Sequence, residues 1–172
     1  MPRLSQKKAD EYFEHLSEAM KKYEINTPLR EAAFLAQLGH ESLDLRYMEE
    51  IASGKAYEGR TDLGNINPGD GVRYKGRGPI QLTGRANYEK FGTLLDINLI
   101  DSPELAATPA VGFRIAGLFW TLKKLNALAD LENIREITRR INGGYNGLED
   151  RIRRYESAKR ILQRPLPEGA ST

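Results

Sequence analysis

Apolar residues return every three or four positions at the start of the chain: Leu4, Ala9, Tyr12, Phe13, Leu16 and Met20 line one side of residues 4–23, with charges on the other. That period predicts an amphipathic first helix. Thr27-Pro28 reads as an N-cap followed by proline at the first helical position. It opens a second helix that carries Leu29, Ala32, Ala33, Phe34 and Ala36 and runs to about His40-Glu41. From Ser42 to about Ile80 the period breaks down, and Gly54, Gly59, Gly64, Pro68, Gly69, Gly71, Gly76 and Gly78 punctuate a long irregular stretch. Long loops inside compact domains are usually functional or disordered.

The helical period returns over Ala86 to Leu95 and again from about Pro109 to Leu125, where Phe113, Ala116, Gly117 and Trp120 form one stripe. A shorter helix from about Leu131 to Ile141 stops at Asn142-Gly143-Gly144, a left-handed C-terminal stop. The last helix carries Leu148, Ile152, Tyr155, Ala158 and Ile161 on one side, Pro165 and Pro167 end it, and residues 166–172 are expected to fray. These elements predict a mainly α domain with a loop-rich insert that includes a small β-hairpin.

Composition narrows the picture. A chain of 172 residues with 40% apolar content supports one domain, residues 1–172, with a real core. With 26 basic and 24 acidic residues the net charge is only +2, unlike the one-signed surface of a dedicated nucleic-acid binder. The absence of cysteine excludes disulfides, thiolate metal sites and a cysteine nucleophile, and two histidines, His15 and His40, do not make a multi-histidine zinc site. The N-terminus, Met-Pro-Arg-Leu-Ser-Gln-Lys-Lys, lacks the apolar core of a signal peptide, and no apolar run approaches the roughly 20 residues that span a bilayer. A monomer made in the cytoplasm, without stable membrane insertion, is the expectation.

The chemistry concentrates in the run Tyr74-Lys-Gly-Arg-Gly-Pro-Ile-Gln-Leu-Thr-Gly-Arg-Ala-Asn-Tyr88. Gly76 and Gly78 let the backbone turn on either side of Arg77, while Gln81, Thr83 and Asn87 supply groups that suit sugar hydroxyls. Tyr74 and Tyr88 offer flat apolar faces to a pyranose ring. A phosphate loop is disfavoured, because the Lys-Ser/Thr ending of a Walker motif and the third glycine of a dinucleotide fingerprint are missing. Glu41, at the predicted end of the second helix, is a candidate general acid, although an ordinary helix-end glutamate fits the spacing too. His40 beside it either orients Glu41 or a sugar hydroxyl, or is structural. On one continuous helix Glu41 and Glu50 would lie about 13 Å apart on opposite faces. They can share a substrate only if the chain doubles back after Ser42 to Asp44. Glu58, in Tyr57-Glu-Gly-Arg60, is an alternative partner. No Gly-x-Ser-x-Gly elbow accompanies Ser42, which disfavours a serine triad.

Three segments now resemble, in order, the signatures of family 19 glycoside hydrolases: Gly39-His-Glu-Ser42, the Tyr74 to Thr83 run with Asn87-Tyr88, and Ile141-Asn-Gly-Gly144 followed by Asp150-Arg151. The resemblance covers roughly residues 30 to 160 of a family that includes chitinases and phage endolysins. It implies a lysozyme-like, mostly helical fold around a glycan cleft, and an inverting mechanism with Glu41 as acid and Glu50 as base. It further implies that Thr83 helps hold the attacking water, with Gln81, Asn87, Asn142 and Arg151 near the sugar or the carboxylates and the Arg151 charge acting on the base. Two carboxylates and water suffice, so no cofactor or metal is expected.

The chain departs from many relatives where Leu43, Asp44 and Leu45 replace two glycines and an aromatic, and it lacks the long disulfide-bearing loops of plant chitinases. That compactness resembles a phage or prophage endolysin, which implies a peptidoglycan substrate, a separate holin for release and action on the cell wall. Chitin is the nearest alternative, and a noncatalytic glycan-binding module is a second. A helical nucleic-acid binder, suggested by Arg139, Arg140, Arg151, Arg153, Arg154, Arg160 and Arg164, is disfavoured because Glu149, Asp150 and Glu156 intersperse those charges.

Overall fold

Among the described residues, four helices start on a side chain that accepts an N–H from their own first turn. Ser5 caps α1 (Gln6–Lys22) and Thr27 caps α2 (Pro28–Glu41). Further on, Thr108 caps a helix at Pro109–Leu122 and Asn133 one at Ile134–Asn142. Such caps satisfy N–H groups that the helix leaves unpaired. The computed structural model describes Met1 and residues 3–164, so the 166–172 tail lies outside the described residues. In chain order the helices are α1, α2, α3 (Asp70–Arg73), α4 (Arg85–Leu95), α5 (Pro109–Leu122), α6 (Leu125–Asp130), α7 (Ile134–Asn142) and α8 (Leu148–Leu162), with 3-10 turns at Lys55–Tyr57, Thr61–Leu63 and Pro103–Ala107.

Three expectations need correction. The helix predicted from Pro109 to Leu125 ends at Leu122, and Lys124, left-handed at φ 55°, separates α5 from α6. The apolar period runs straight through the break, which is why it is hidden in the sequence. The next helix begins at Ile134 rather than Leu131, because Asn133 provides the cap. The small hairpin does not form strands: among the described residues only isolated antiparallel bridges, Glu49 with Arg77 and Arg77 with Leu82, stand in its place. Gly78 and Gln81, at φ 76° and 54°, leave no extended run long enough for a ladder.

The helices enclose two apolar clusters. The first gathers Phe34, Leu38 and Leu45 with Phe113, Trp120, Ile137 and Tyr155; Phe34 and Trp120 meet edge to face with ring centroids 5.3 Å apart. The second gathers Tyr74, Leu82, Tyr88, Phe91, Leu95, Leu99 and Ile115. Helix α5 serves both, sending Phe113, Ala116 and Trp120 to the first and Ile115 to the second, and Ile80 packs against each. No described helix is long and apolar enough to cross a membrane.

Candidate active site

The site is built where the chain reverses after α2. Ser42 ends the helix by donating its hydroxyl to the Leu38 carbonyl at 2.6 Å, and the same oxygen accepts the Leu45 N–H at 2.8 Å. Leu43, Asp44 and Leu45 then follow one another in the left-handed region, at φ 51°, 65° and 59°. Only glycine adopts that region freely, and Asn and Asp tolerate it better than leucine does. The turn is held by the Asp44 carboxylate, 1% exposed and ion-paired with Arg154 of α8, and by Leu45 in the first core. It sends the chain back past Glu41.

Residues 48–50 now lie against the glycine-flanked run. The Glu50 N–H donates to the Gly76 carbonyl at 2.9 Å, and the Gly78 N–H donates to the Met48 carbonyl at 2.7 Å. Arg77 and Leu82 exchange backbone hydrogen bonds at 3.1 and 2.8 Å. Glu50 and Thr83 are thereby carried on neighbouring segments. The Glu50 carboxylate accepts from Tyr57 Oη at 3.0 Å and from the Gly76 N–H at 3.1 Å. Burial, together with the Glu50 carboxylate to which it donates, pushes the Tyr57 phenol up. Thr83 donates its hydroxyl to the Gln81 carbonyl at 2.8 Å, the Gln81 amide donates to the Gly78 carbonyl at 3.0 Å, and the Asn87 amide donates to the Thr83 carbonyl at 2.8 Å.

Two hollows share Glu41 and Gln81 as walls. Glu50, Leu43 and Tyr47 line the one, and Thr83, Asn87, Leu63, Phe119 and Asn142 line the other. Together they form a groove that passes Glu41. A larger hollow of about 480 Å³ beside α4 and residues 96–100 contains neither Glu41 nor Glu50, so chemistry and not volume marks the site.

The other sequence candidates sit elsewhere. Tyr74 is buried in the second core, its ring 5.3 Å from that of Tyr88 and its hydroxyl donating to the Ile100 carbonyl at 3.2 Å, so it offers no face to a sugar. Tyr88 is equally buried, donating to the Lys75 carbonyl at 2.7 Å, and its phenol is pushed up to about 12 by that burial. Glu58 accepts the N–H groups of Gly69 and Gly71 at 2.6 and 2.9 Å, which makes it an anchor of the α3 turn and places it away from Glu41 in role. His40 turns from the groove to Asp150, with Nδ1 2.8 Å from the carboxylate, and packs on Gly147, where a β-carbon would come within 2.2 Å of the ring. Arg151, expected to act on the base, is 2% exposed behind Glu41 instead, donating Nη2 to Glu41 Oε1 at 2.5 Å and Nη1 to Gln37. Asn142 does both of the things open to it: it lines the groove, and its side chain accepts from Gly144 and donates to the Asn146 carbonyl, fixing the stop at Gly143.

Sequence reasoning missed Tyr57 and Gln37. Tyr57 neighbours Glu58 in a glycine-rich loop, a signal visible but attached to the wrong glutamate. Gln37 sits in an apolar stretch of α2, four residues before Glu41, and a buried amide at that spacing is the signal that was available.

Asp150 ties α8 to this end of α2. Burial raises its carboxyl, but hydrogen bonds and charge from His40 and Arg154 more than offset this and bring it to about 2, from an ordinary 3.8. Because the folded-state value lies below the unfolded one, the resulting stabilisation is fully present above about pH 4 and is lost as the pH falls towards 2. With the side chain 32% exposed, solvent screening reduces the gain to about 1 kcal/mol. The urea stability of the wild type minus that of Asp150→Asn should shrink accordingly as the pH falls through this range. A difference independent of pH would mean that Asp150 acts through packing alone.

A family model described as class I chitinase matches residues 24–130, a span that holds Glu41, Glu50 and Thr83. A glycosyl hydrolase family 19 domain-containing protein of Haemophilus influenzae is 30% identical over 84% of this chain and 86% of its own length. An endochitinase of Arabidopsis thaliana is 41% identical over 66% of this chain, a match that spans 38% of that protein. Among solved structures, chitinase C of Streptomyces griseus superposes with a TM-score of 0.73 at 28% identity, covering 87% of this chain and 69% of its own.

Proposed function

The chain belongs to glycoside hydrolase family 19, and on that premise we propose that it cleaves β-1,4 bonds between the amino sugars of bacterial peptidoglycan by single displacement with inversion. The observation that carries the reading is the placement of Glu41 and Glu50 on the walls of one groove, with Thr83 on the segment next to Glu50. Glu41 delivers its proton to the glycosidic oxygen as the C1–O bond breaks. Glu50 takes a proton from water, whose oxygen bonds to C1 from the opposite face. Arg151 holds Oε1 of Glu41 in place, and Tyr57 and the Gly76 N–H hold Glu50, so neither carboxyl has to be ordered when the substrate arrives.

The preference for peptidoglycan is motivated by the endolysin-like lack, between the signature segments, of the long disulfide-bearing loops of plant chitinases. Chitin oligomers are the second reading, motivated by the names of the relatives. Loss of turbidity in outer-membrane-permeabilised bacteria, measured beside the release of reducing ends from an N-acetylglucosamine hexamer, separates them. Clearing of cells with an intact hexamer supports the first reading, and the reverse result supports the second. If neither polymer is cut, the hydrolase reading as written is wrong. NMR of the first product should show the α-anomer; a β-anomer would overturn inversion.

A further inference from the structure

Gly78 needs its glycine for conformation, with φ at 76°, whereas Gly76 two residues earlier has no positive φ and an ordinary residue would suit its backbone. What singles out Gly76 is the space above its α-carbon. A methyl carbon added there would stand 2.9 Å from Gln81 Oε1, 3.1 Å from Glu50 Oε2 and 3.3 Å from Thr83 Oγ1. All three contacts are tighter than the roughly 3.5 Å of ordinary packing, and all three are side-chain oxygens rather than backbone.

Those oxygens converge as acceptors. The Thr83 hydroxyl proton is directed to the Gln81 carbonyl, the Gln81 amide donates to the Gly78 carbonyl, and Glu50 has no proton of its own to offer when it serves as base. Glu50 Oε2 already accepts the Gly76 N–H at 3.1 Å but keeps a further lone pair, and with those of Gln81 Oε1 and Thr83 Oγ1 it suits a water molecule as donor. Such a water gives one proton to Glu50 Oε2 and the other to Gln81 Oε1 or Thr83 Oγ1, which leaves an oxygen lone pair to face the sugar.

We infer that Gly76 is a positioning residue: its missing side chain keeps open the seat of the nucleophilic water, and Gln81 Oε1 joins Glu50 and Thr83 as the third wall of that seat. The inference rests on the hydrolase reading above and adds to it a residue that touches neither sugar nor reacting bond. Because the three atoms nearest the added methyl are all side-chain ends rather than backbone, it disturbs the seat and not the fold.

The test is Gly76→Ala, assayed on whichever glycan the wild type cuts. The expected result is a kcat lower by about 100-fold with KM and the Kd for an N-acetylglucosamine oligomer each within about twofold of wild type, and a Tm within about 2 °C. A kcat within about threefold of wild type would overturn the inference. So would a loss of Tm and of oligomer binding in step with activity, since Gly76 would then be structural. A wild type inactive on both glycans would instead defeat the parent reading, which keeps the two failures apart.

Discussion

Glu41→Gln should remove glycan hydrolysis, lowering kcat by about 10³-fold or more, while leaving a folded protein that still binds oligosaccharide. General acid catalysis contributes about 10²–10⁴ in rate, and the amide cannot deliver a proton. The substitution is otherwise close to neutral in shape. Its carbonyl oxygen can still accept from Arg151 Nη2, so the guanidinium, 2% exposed, keeps a hydrogen bond although it loses its counter-charge. Some loss of stability follows, and circular dichroism with a thermal scan must show that the variant is folded before its kinetics are read. Glu58→Gln is the matching control. Glu58 holds the Gly69 and Gly71 N–H groups at the loop anchor, so its loss should cost about 1 kcal/mol of stability and leave kcat within about threefold. Full activity in Glu41→Gln, or a Glu58→Gln variant as inactive as Glu41→Gln, would reassign the acid–base pair.

That Glu41 and Glu58 were both open candidates says where the sequence is legible. Helix starts could be read at Thr27-Pro28 because the cap is a local interaction between a hydroxyl and an N–H three residues on. Glu41 could be picked out because it ends an apolar helix. Its partner could not be, since the choice between Glu50 and Glu58 depends on how the chain turns between residues 42 and 48. That turn runs through three left-handed residues, two of them leucines, which no propensity favours. Only the distant Arg154 and the first core make the conformation hold. The error over Tyr74 has a similar origin. A tyrosine in a polar, glycine-rich run looks like a sugar platform, but residue type does not record facing. Here the Ile100 carbonyl, outside the run, and Arg85, near its other end, satisfy the phenol, which lets the ring be buried. The Arg151 motif implies a place near the carboxylates, but the fold-back of α8 on α2 sets which carboxyl the guanidinium meets, and in the structure that is Glu41.

The turn after α2 therefore carries the second large expected effect. Asp44→Ala should destabilise the protein by about 2–3 kcal/mol, less than the roughly 3–5 kcal/mol of breaking a fully buried ion pair, because Arg154 is 21% exposed and keeps Asp150. For a domain of this size that corresponds to a fall in Tm of about 4–12 °C. Two terms contribute. The Asp44 carboxylate is the tie between the left-handed turn and Arg154, which would keep only Asp150, 2.6 Å away, as its partner. Alanine also sits in the left-handed region at a cost of about 1 kcal/mol that aspartate partly avoids. Asp44→Gly separates the terms: it loses the tie but not the conformation, and should be less harmful than Asp44→Ala by about 1 kcal/mol. Leu43→Gly, at a position 46% exposed with φ 51°, removes strain without touching the tie, and should leave Tm unchanged or raise it. If Asp44→Ala melts within about 2 °C of wild type, the turn holds itself and the Arg154 tie is incidental. If the expected loss is found, activity should fall further than the folded fraction alone predicts. The same turn sets Glu41 of α2 across the groove from Glu50, and in the proposed mechanism an error in that spacing misplaces both the proton donor and the base that activates water.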